Sequence, residues 1–344
     1  MMRRWMALGA VVAMLGTACA EPALGPSSSG GLATNAEVFD VLWTEFDLQY
    51  AHFGTKNVDW NRMRDVYRPR AIAATSEFEL AKVLGQMLAE LRDRHVTLTP
   101  GSAGSTIAYL SQSDTAAAAF DAALIDRQYV KNARQTSGGR VRYGFITPAV
   151  GYLRIPSFAG SGWVAEIDAA LAELRDAQKL IVDVRGNAGG SHGLAMSAAG
   201  RFAASSQTCS YVKIRNGPGH DDFTSLEPQI VRPEGPFQFT KPVVVLTNRR
   251  VYSSGENFVL AMRALPNVTT MGDSTAGASG RPITRELPNG WTYTLSTWVE
   301  YTEDRKLFEN IGLAPDVYVP ARVVEIKSGS DPVLARAMEQ LGQN

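Results

Sequence analysis

The chain has 344 residues, of which 45% are hydrophobic and 20% are charged, so it can form one large domain or two smaller ones around an ample core. Lysine plus arginine equals aspartate plus glutamate, at 34 each, and this balance argues against a nucleic-acid partner. The composition is that of an ordinary globular protein.

The first residues have the layout of a secretory signal peptide. Two arginines precede an apolar run from Trp5 to Leu15, and three small residues then lead to Cys19. The segment LGTAC resembles a bacterial lipobox, in which Cys19 is lipidated, so residues 1–19 are predicted to be a signal peptide of the lipoprotein type. Ordinary signal cleavage after Ala20 is the alternative.

These features predict an exported protein of the bacterial periplasm or cell envelope. Residues 20–34 are mostly small or polar and predict a flexible linker. The apolar run is too short to span a membrane, so the membrane contact that we expect is the lipid anchor at Cys19.

Two stretches with helical periodicity follow the linker. Apolar residues recur three and four apart in AEVFDVLWTEFDLQY and FELAKVLGQMLAELRDRH, which predicts a small helical N-terminal domain over residues 35–100. Residues 101–145 are predicted to be a connecting segment.

The pattern then changes to alternating strands and helices. Short β-rich runs, VGYLRIPSF, KLIVDVRG, CSYVKIR and PVVVLTN, are separated by the helical runs WVAEIDAALAELRDAQ, HGLAMSAAGRFAA and SGENFVLAMRAL. Residues 146–325 are therefore predicted to form an α/β core with a largely parallel sheet. Residues 326–344 predict a C-terminal helix.

The stretch VYSSGENFVLAM has two interpretations. Ser253 stands three residues before Glu256 at the head of an apolar helical run, which is the spacing of a helix capping box. Alternatively, Ser253 is a nucleophile at a helix N-terminus, where free amides and the helix dipole stabilise developing negative charge.

The segment LIVDVRGNAGGSHG is an apolar strand that enters a glycine-rich turn and then a helix. Gly189 and Gly190 leave the backbone amides there open to a phosphate or an oxyanion. No GxGxxG or GK[ST] pattern is present, so nucleotide binding is disfavoured. A plain tight turn is the alternative.

Histidine and cysteine positions argue against a metal site. Cys209 is the one cysteine left after loss or lipidation of Cys19, and it is predicted to be a small buried hydrophobe. Acyl transfer needs one histidine as general base beside a serine, and no GxSxG motif is present. His95, two residues after Asp93, is the candidate base, and a helix-capping or solvated histidine is the alternative. The four histidines, which have no metal-ligand spacing, are His52, His95, His192 and His220.

Eight short segments between residues 50 and 320 carry a family resemblance. They are YAHFGTKNVDW, LRDRHVTL, VGYLRIPSF, LIVDVRGNAGG, PVVVLTNRRVYSSGENFVLAM, MGDSTAGASG, LPNGWTYTLS and ENIGLAPDVYV. In order and separation they resemble the serine peptidases that include the tricorn protease core, the tail-specific C-terminal processing proteases and the interphotoreceptor retinoid-binding proteins. The resemblance implies a crotonase-like (ClpP-like) α/β core.

The same resemblance implies roles for individual residues. The family nucleophile lies three residues before the acidic residue of an SxxE element, which is Ser253 here, with Ser254 as the near alternative. The implied oxyanion hole is formed by the backbone amides of Ser254 and Gly190, with Gly189 as the alternative to Gly190.

The identity of the general base separates two branches of this family. In the C-terminal processing branch a lysine follows the serine by twenty-five residues, a position occupied here by Ala278. The segment between His95 and Val150 is also too short for the PDZ module of that branch. The tricorn-type branch, which the sequence therefore resembles more, takes its base from a histidine that matches His95.

In the tricorn-type branch a second serine precedes the histidine, and a glutamate near the C-terminal GxxPD element polarises it. Glu309 matches the glutamate, whereas Arg94 occupies the place of the serine. Either Glu309 or Asp93 is then expected to orient the imidazole, or the relay differs from that of the family.

Together these features predict an exported serine peptidase that acts on peptides or unfolded proteins by a Ser/His mechanism. The chemistry requires no metal or organic cofactor, and the sequence specifies no oligomeric state. Because retinoid-binding relatives share the fold, the alternative is a weakly active or inactive homologue that binds an apolar ligand or a peptide. Ester hydrolysis would use the same residues.

Overall fold

A seven-stranded sheet lies at the centre of the part of the chain that the computed structural model describes, residues 33–101, 106–108 and 119–343. The predicted signal peptide with Cys19, and most of the predicted linker, lie outside the described residues. In the described ranges, no helix has both the length and the apolar character needed to cross a membrane.

Strands and helices are numbered here in chain order. The strands are β1 Thr97–Thr99, β2 Ile107–Ala108, β3 Lys131–Gln135, β4 Arg142–Thr147, β5 Val150–Arg154, β6 Lys179–Asp183, β7 Gln207–Ile214, β8 Glu227–Val231, β9 Val243–Thr247, β10 Val268–Gly272, β11 Pro282–Glu286, β12 Thr292–Ser296, β13 Trp298–Thr302 and β14 Val317–Tyr318. The helices are α1 Asn35–Gln49, α2 Phe53–Lys56, α3 Trp60–Ile72, α4 Glu77–Ala89, α5 Ala122–Gln128, α6 Trp163–Glu173, α7 His192–Gly200, α8 Ser254–Arg263, α9 Val323–Lys327 and α10 Pro332–Gln343.

The centre of the large sheet is parallel. Its strand order is β14-β10-β9-β6-β5-β4-β3, with parallel pairing from β14 through β5 and antiparallel pairing at β4 and β3. Strands β6 and β9, with the sequences KLIVD and VVVLT, are almost entirely buried, because helices cover both faces of a parallel sheet. The predicted α/β core with a largely parallel sheet is confirmed.

Alternate residues of the central strands pack into two separate helical layers. Leu180 and Val182 of β6 face one layer, and Ile181 between them faces the other. Helices α6, α7 and α8 contribute to the first layer and α10 to the second. Helix α8 is therefore anchored by its apolar residues against the sheet, which fixes the position of its first turn.

The N-terminal helices share a hydrophobic core with a four-stranded sheet. That sheet has the order β11-β12-β1-β2, so β1 from the N-terminal segment pairs with β12, nearly 200 residues later in the chain. Trp43 and Trp60 stack in this core, and each indole N–H donates to the other residue's carbonyl oxygen at 3.0 Å. Tyr293 and Leu295 of β12 belong to the same cluster.

The segment around His95 is less helical than its periodicity predicts. Helix α4 ends at Ala89, Arg92 has a left-handed backbone with φ of 48°, and Asp93 accepts a hydrogen bond from the backbone amide of His95. This turn leads directly into β1. The expectation that His95 ends a helix is wrong. An Asp side chain that accepts a hydrogen bond from the backbone amide two residues later stabilises a turn instead.

Candidate active site

Ser253 occupies a sharp turn between β9 and helix α8. Its backbone has φ of 56° and ψ of −133°, its side chain makes no capping hydrogen bond, and α8 begins at the next residue. Glu256 does not close a capping box, since its carboxylate accepts hydrogen bonds from the Thr275 hydroxyl and from the amides of Gly277 and Ala278. The capping-box interpretation of this stretch is therefore wrong.

A positive φ is strained for serine and is typical of functional sites that the surrounding structure holds in place. Here the Ser253 amide donates to the Ala278 carbonyl oxygen at 2.8 Å. A side chain at Gly255 would begin 2.7 Å from the carbonyl oxygen of Asn187, so this tight turn requires glycine there. A strained serine between a strand and a helix is the arrangement of a nucleophile elbow, formed here without a GxSxG sequence.

Two backbone amides beside Ser253 have no acceptor within the described residues, those of Ser254 and Gly190. The Gly189 amide, in contrast, donates to Asn187 Oδ1 at 2.8 Å. Gly190 has φ of 137°, and a Cβ atom there would lie 2.2 Å from the Phe158 carbonyl carbon. Gly190 rather than Gly189 therefore offers an open amide, and glycine is required to bring it there.

Ser254 fits the role of nucleophile less well than Ser253. The Ser254 hydroxyl donates to the Gly190 carbonyl oxygen at 2.8 Å, and the residue is 4% exposed. Ser253 is partly exposed. A hydroxyl that is already bonded to a backbone carbonyl must break that bond before it can react, so the geometry favours Ser253.

His95 lies beside the residue that precedes Ser253. The centroid of its imidazole is 6.2 Å from that of the Tyr252 ring, in an edge-on contact. Its carbonyl oxygen accepts a hydrogen bond from Thr294 Oγ1 at 2.6 Å, which fixes its backbone. Neither imidazole nitrogen has a hydrogen-bond partner among the described residues. Burial lowers the pKa of His95 below its ordinary value of 6.5.

Two buried carboxylates lie behind His95, and neither accepts a hydrogen bond from the imidazole. Asp93 Oδ1 is 3.9 Å from His95 Nδ1 and accepts from the His95 amide at 2.8 Å, while Oδ2 accepts from the hydroxyls of Tyr50 and Ser296. Glu309 accepts from the Ser279 amide at 2.9 Å and from Lys56, as described below. Burial raises the pKa of Glu309, an effect that the Lys56 ammonium opposes.

Side chains of metal-binding type meet in this cluster. Ligand atoms of His52, Asp93 and Glu309 lie within 4.8 Å of one another. Lys56 Nζ, however, lies 2.7 Å from Glu309 Oε1, so an ammonium already supplies the positive charge that the carboxylates require. A divalent cation would have to share that space with a like charge, and we therefore interpret the cluster as a hydrogen-bonded ionic network.

The positions that distinguish the two family branches lie next to the candidate nucleophile. Ala278, at the position of the lysine base in the C-terminal processing branch, is 1% exposed and accepts the hydrogen bond from the Ser253 amide. Arg94 places its guanidinium 4.3 Å from the centroid of the Tyr252 ring.

Several residues of the cluster are not identified by the sequence analysis. Lys56 and Tyr50 come from the segment YAHFGTKNVDW, which the sequence identifies only as one of the eight family-like segments. The hydroxyl of Ser279 is buried and has no partner within the described residues. These residues were missed because long-range packing, and not local pattern, brings them to His95.

Other sequence-identified residues lie outside the site. Cys209 is buried, as predicted, and burial raises the pKa of its thiol to about 12. His220 Nε2 lies 2.8 Å from Asp47 Oδ1, and His192 contacts the Trp298 ring edge-on.

Two family models match the chain. The model described as Peptidase family S41 matches residues 149–319, which include Ser253, Gly190 and Glu309. The model described as Tricorn protease C1 domain matches residues 33–89.

Curated relatives match smaller parts of longer proteins. Carboxy-terminal processing protease CtpA of Bacillus subtilis is 27% identical over 169 residues, which are 49% of this chain and 34% of CtpA. Streptomyces coelicolor has a protein named as a candidate tricorn protease homolog 2, 29% identical over 209 residues, which are 60% of this chain and 16% of that protein. The matches thus span well under two thirds of these relatives.

A solved structure matches over nearly its full length. The crystal structure of a candidate peptidase from Parabacteroides merdae ATCC 43184 is 32% identical, with a TM-score of 0.80, and the match covers 90% of this chain and 97% of that chain. The resemblance predicted from the eight sequence segments, and the fold that it implies, are confirmed.

Proposed function

The chain belongs to peptidase family S41, and on that premise we propose that it is an exported serine peptidase that hydrolyses peptides or unfolded proteins. The observation that carries this proposal is the backbone of Ser253. Its positive φ of 56° places at the start of α8 a hydroxyl that makes no capping hydrogen bond. The backbone amides of Ser254 and Gly190 beside it have no acceptor within the described residues.

In the proposed mechanism Ser253 Oγ attacks the carbonyl carbon of the scissile bond while His95 takes the hydroxyl proton. The amides of Ser254 and Gly190 donate to the oxyanion of the tetrahedral intermediate. His95 then gives its proton to the departing amine, which leaves an acyl-enzyme on Ser253. Water, deprotonated by His95, hydrolyses this ester and restores the serine.

Glu309 and Asp93 are the proposed source of negative charge that stabilises the imidazolium. The 3.9 Å between Asp93 Oδ1 and His95 Nδ1 is long for a hydrogen bond, and a shift of about 1 Å would close it. Such contacts often tighten when substrate binds. Lys56 and the Ser279 amide donate to the two carboxylate oxygens of Glu309 and so hold it in place.

Hydrolysis of unfolded casein by the purified protein tests this function. We expect new peptide termini to accumulate with time in the absence of added metal, and chelator to leave the rate unchanged. Cleavage of small activated esters without any cleavage of casein would replace the peptidase proposal with an esterase. Absence of both activities, with a co-purified apolar ligand, would favour the binding-protein alternative.

The pH dependence of the rate follows from the burial of His95. Its pKa is below 6.5 because burial disfavours the charged imidazolium, and the base must be neutral to take the serine proton. We therefore expect kcat/KM to fall on the acid side with a midpoint below pH 6.5, measured between pH 4 and 8. A midpoint near 7 would instead indicate Glu256, whose pKa burial raises to about 7.

We also propose that residues 1–19 direct export and that Cys19 becomes a lipidated N-terminus. The supporting observation is the arrangement of arginines, apolar run and small residues before Cys19. The mass of the mature protein purified from membranes tests this, because a diacylglyceryl group on Cys19 is expected. An unmodified N-terminus beyond residue 20 would contradict the lipid anchor but not the export.

A further inference from the structure

We propose that Lys56 is a positioning residue of the peptidase site, which joins the segment that carries His95 to the loop that carries Glu309. This inference rests on the proposed function, because it assigns Lys56 a role through Glu309. Lys56 ends the four-residue helix α2, far from both segments in sequence. It belongs to the N-terminal part of the chain, outside the residues that match the S41 model.

The ammonium group of Lys56 is fully engaged. Nζ donates to Glu309 Oε1 at 2.7 Å, to Asn310 Oδ1 at 3.2 Å and to the Arg92 carbonyl oxygen at 3.1 Å. The side chains of Lys56 and Glu309 are only 1% and 2% exposed. An ammonium carries three protons, so each has an acceptor, and burial protects the contacts from solvent competition.

These contacts connect three separate segments. Arg92 immediately precedes Asp93, and its guanidinium returns a hydrogen bond to the Lys56 carbonyl oxygen at 2.6 Å. Arg92 and Asn310 both have left-handed backbones, with φ of 48° and 61°. Lys56 thus bonds two strained turns, one leading to His95 and one following Glu309, and holds them at a fixed separation.

Lys56 supplies the positive charge that keeps both carboxylates of this cluster ionised. Lys56 contributes one positive charge, and Asp93 and Glu309 contribute two negative ones, so a neutral His95 leaves a net charge of −1. Formation of the imidazolium brings that sum to zero, which favours the transition state. The charged and titratable groups that influence His95 or Glu309 are Tyr50, His52, Lys56, Asp93, Arg94, Glu256 and Glu300.

Removal of the Lys56 charge changes the protonation of this cluster. Two carboxylates with oxygens less than 5 Å apart cannot both remain ionised in a buried site without a counter-charge. Burial already raises the pKa of Glu309, and the Lys56 ammonium is the largest influence that lowers it. Without Lys56 the pKa of Glu309 rises further, so a smaller fraction of Glu309 is ionised to support the imidazolium.

A double-mutant cycle tests this inference, with kcat/KM for peptide hydrolysis measured from pH 5 to 9 in Lys56→Met, Glu309→Gln and the double variant. We expect Lys56→Met to lower kcat/KM about 100-fold at pH 7, and the loss to shrink as the pH rises, because Glu309 ionises again at higher pH. In the Glu309→Gln background the same substitution is expected to change the rate less than about threefold.

Lys306→Met is the matched control. Lys306 forms a 2.7 Å ion pair with Asp304, but the two side chains are 79% and 59% exposed, so its loss is expected to leave rate and melting temperature unchanged. If Lys56→Met alone does not fold, the double variant still decides the question, since neutral replacement of a buried pair is often tolerated. It must then match the rate of Glu309→Gln.

Two results would overturn the role of Lys56. One is a Lys56→Met loss in kcat/KM of equal size with and without Glu309→Gln, at every pH, because a lysine with a purely structural role would have that effect. The other is a Glu309→Gln variant with wild-type activity. Either result, obtained while Ser253→Ala is inactive, leaves the proposed function standing; activity in a folded Ser253→Ala variant would reject that function itself.

Discussion

Replacement of Ser253 by alanine is expected to lower kcat/KM for peptide hydrolysis by about 10⁴- to 10⁶-fold, because acyl transfer then has no nucleophile. The residual rate would come from the oxyanion amides and from substrate binding. The fold should survive, since the Ser253 side chain makes no capping hydrogen bond. Turnover of casein and the melting temperature, measured on the same preparation, separate lost chemistry from lost structure.

Ser254→Ala is the matched control for this substitution. It removes the neighbouring hydroxyl, which donates to the Gly190 carbonyl oxygen at 2.8 Å, but keeps the backbone amide that is proposed to bind the oxyanion. We expect kcat/KM to fall less than about 100-fold, because the Gly190 backbone is then held less firmly in the oxyanion hole. The assignment would be reversed if Ser254→Ala were inactive and Ser253→Ala retained turnover.

Replacement of His95 by alanine is expected to be nearly as damaging, about 10⁴- to 10⁶-fold, since the serine proton then has no acceptor. Nucleophile and base act as one unit, so the variant that combines His95→Ala with Ser253→Ala should be no slower than either alone. Kinetics of the two single variants and the double variant measure this non-additivity.

His220→Ala provides the comparison for a histidine outside the site. His220 pairs with Asp47 at 2.8 Å and is partly exposed, so its removal should leave the rate within about threefold of wild type. A full rate in His95→Ala, or losses that multiply in the double variant, would show that another group deprotonates Ser253.

The core elements could be predicted because buried strands and helices have simple patterns of apolar residues in their sequences. Strands β6 and β9 are continuous apolar runs, as a parallel sheet covered on both faces requires. Helix α8 likewise appears in the spacing of its apolar residues, as does α10, which lies within the predicted C-terminal segment. For these elements the local sequence and the tertiary environment favour the same structure.

Local pattern was misleading where a side chain bonds to a backbone group outside the predicted helix pattern. Ser253 and Glu256 have capping-box spacing, yet Glu256 bonds the loop around Gly277 and Ala278 instead. The run that ends at His95 has helical period, but Asp93 stabilises a turn there. The partners of Glu256 are contributed by tertiary structure, which a window of a few residues does not contain, whereas the Asp93 contact is a local turn that competes with the helix.

The candidate site was only partly predictable for the same reason. Ser253, His95, Glu309 and Gly190 occupy family-like segments, and the fold brings them into one region around Tyr252 and Ala278. Lys56 could be seen only after folding, because 253 residues separate it from Glu309. A buried lysine is recognised by its contacts in the folded protein. Neither the composition of the surrounding sequence nor the spacing of its residues indicates that this lysine is buried.

Labelling with a fluorophosphonate probe, mapped by mass spectrometry, is the most direct test that Ser253 is an activated nucleophile. We predict phosphonylation of Ser253 in the purified protein and loss of labelling in His95→Ala, because an ordinary serine hydroxyl does not react at a useful rate without a base. Label on Ser254, or no label on a protein that melts cooperatively, would contradict the account.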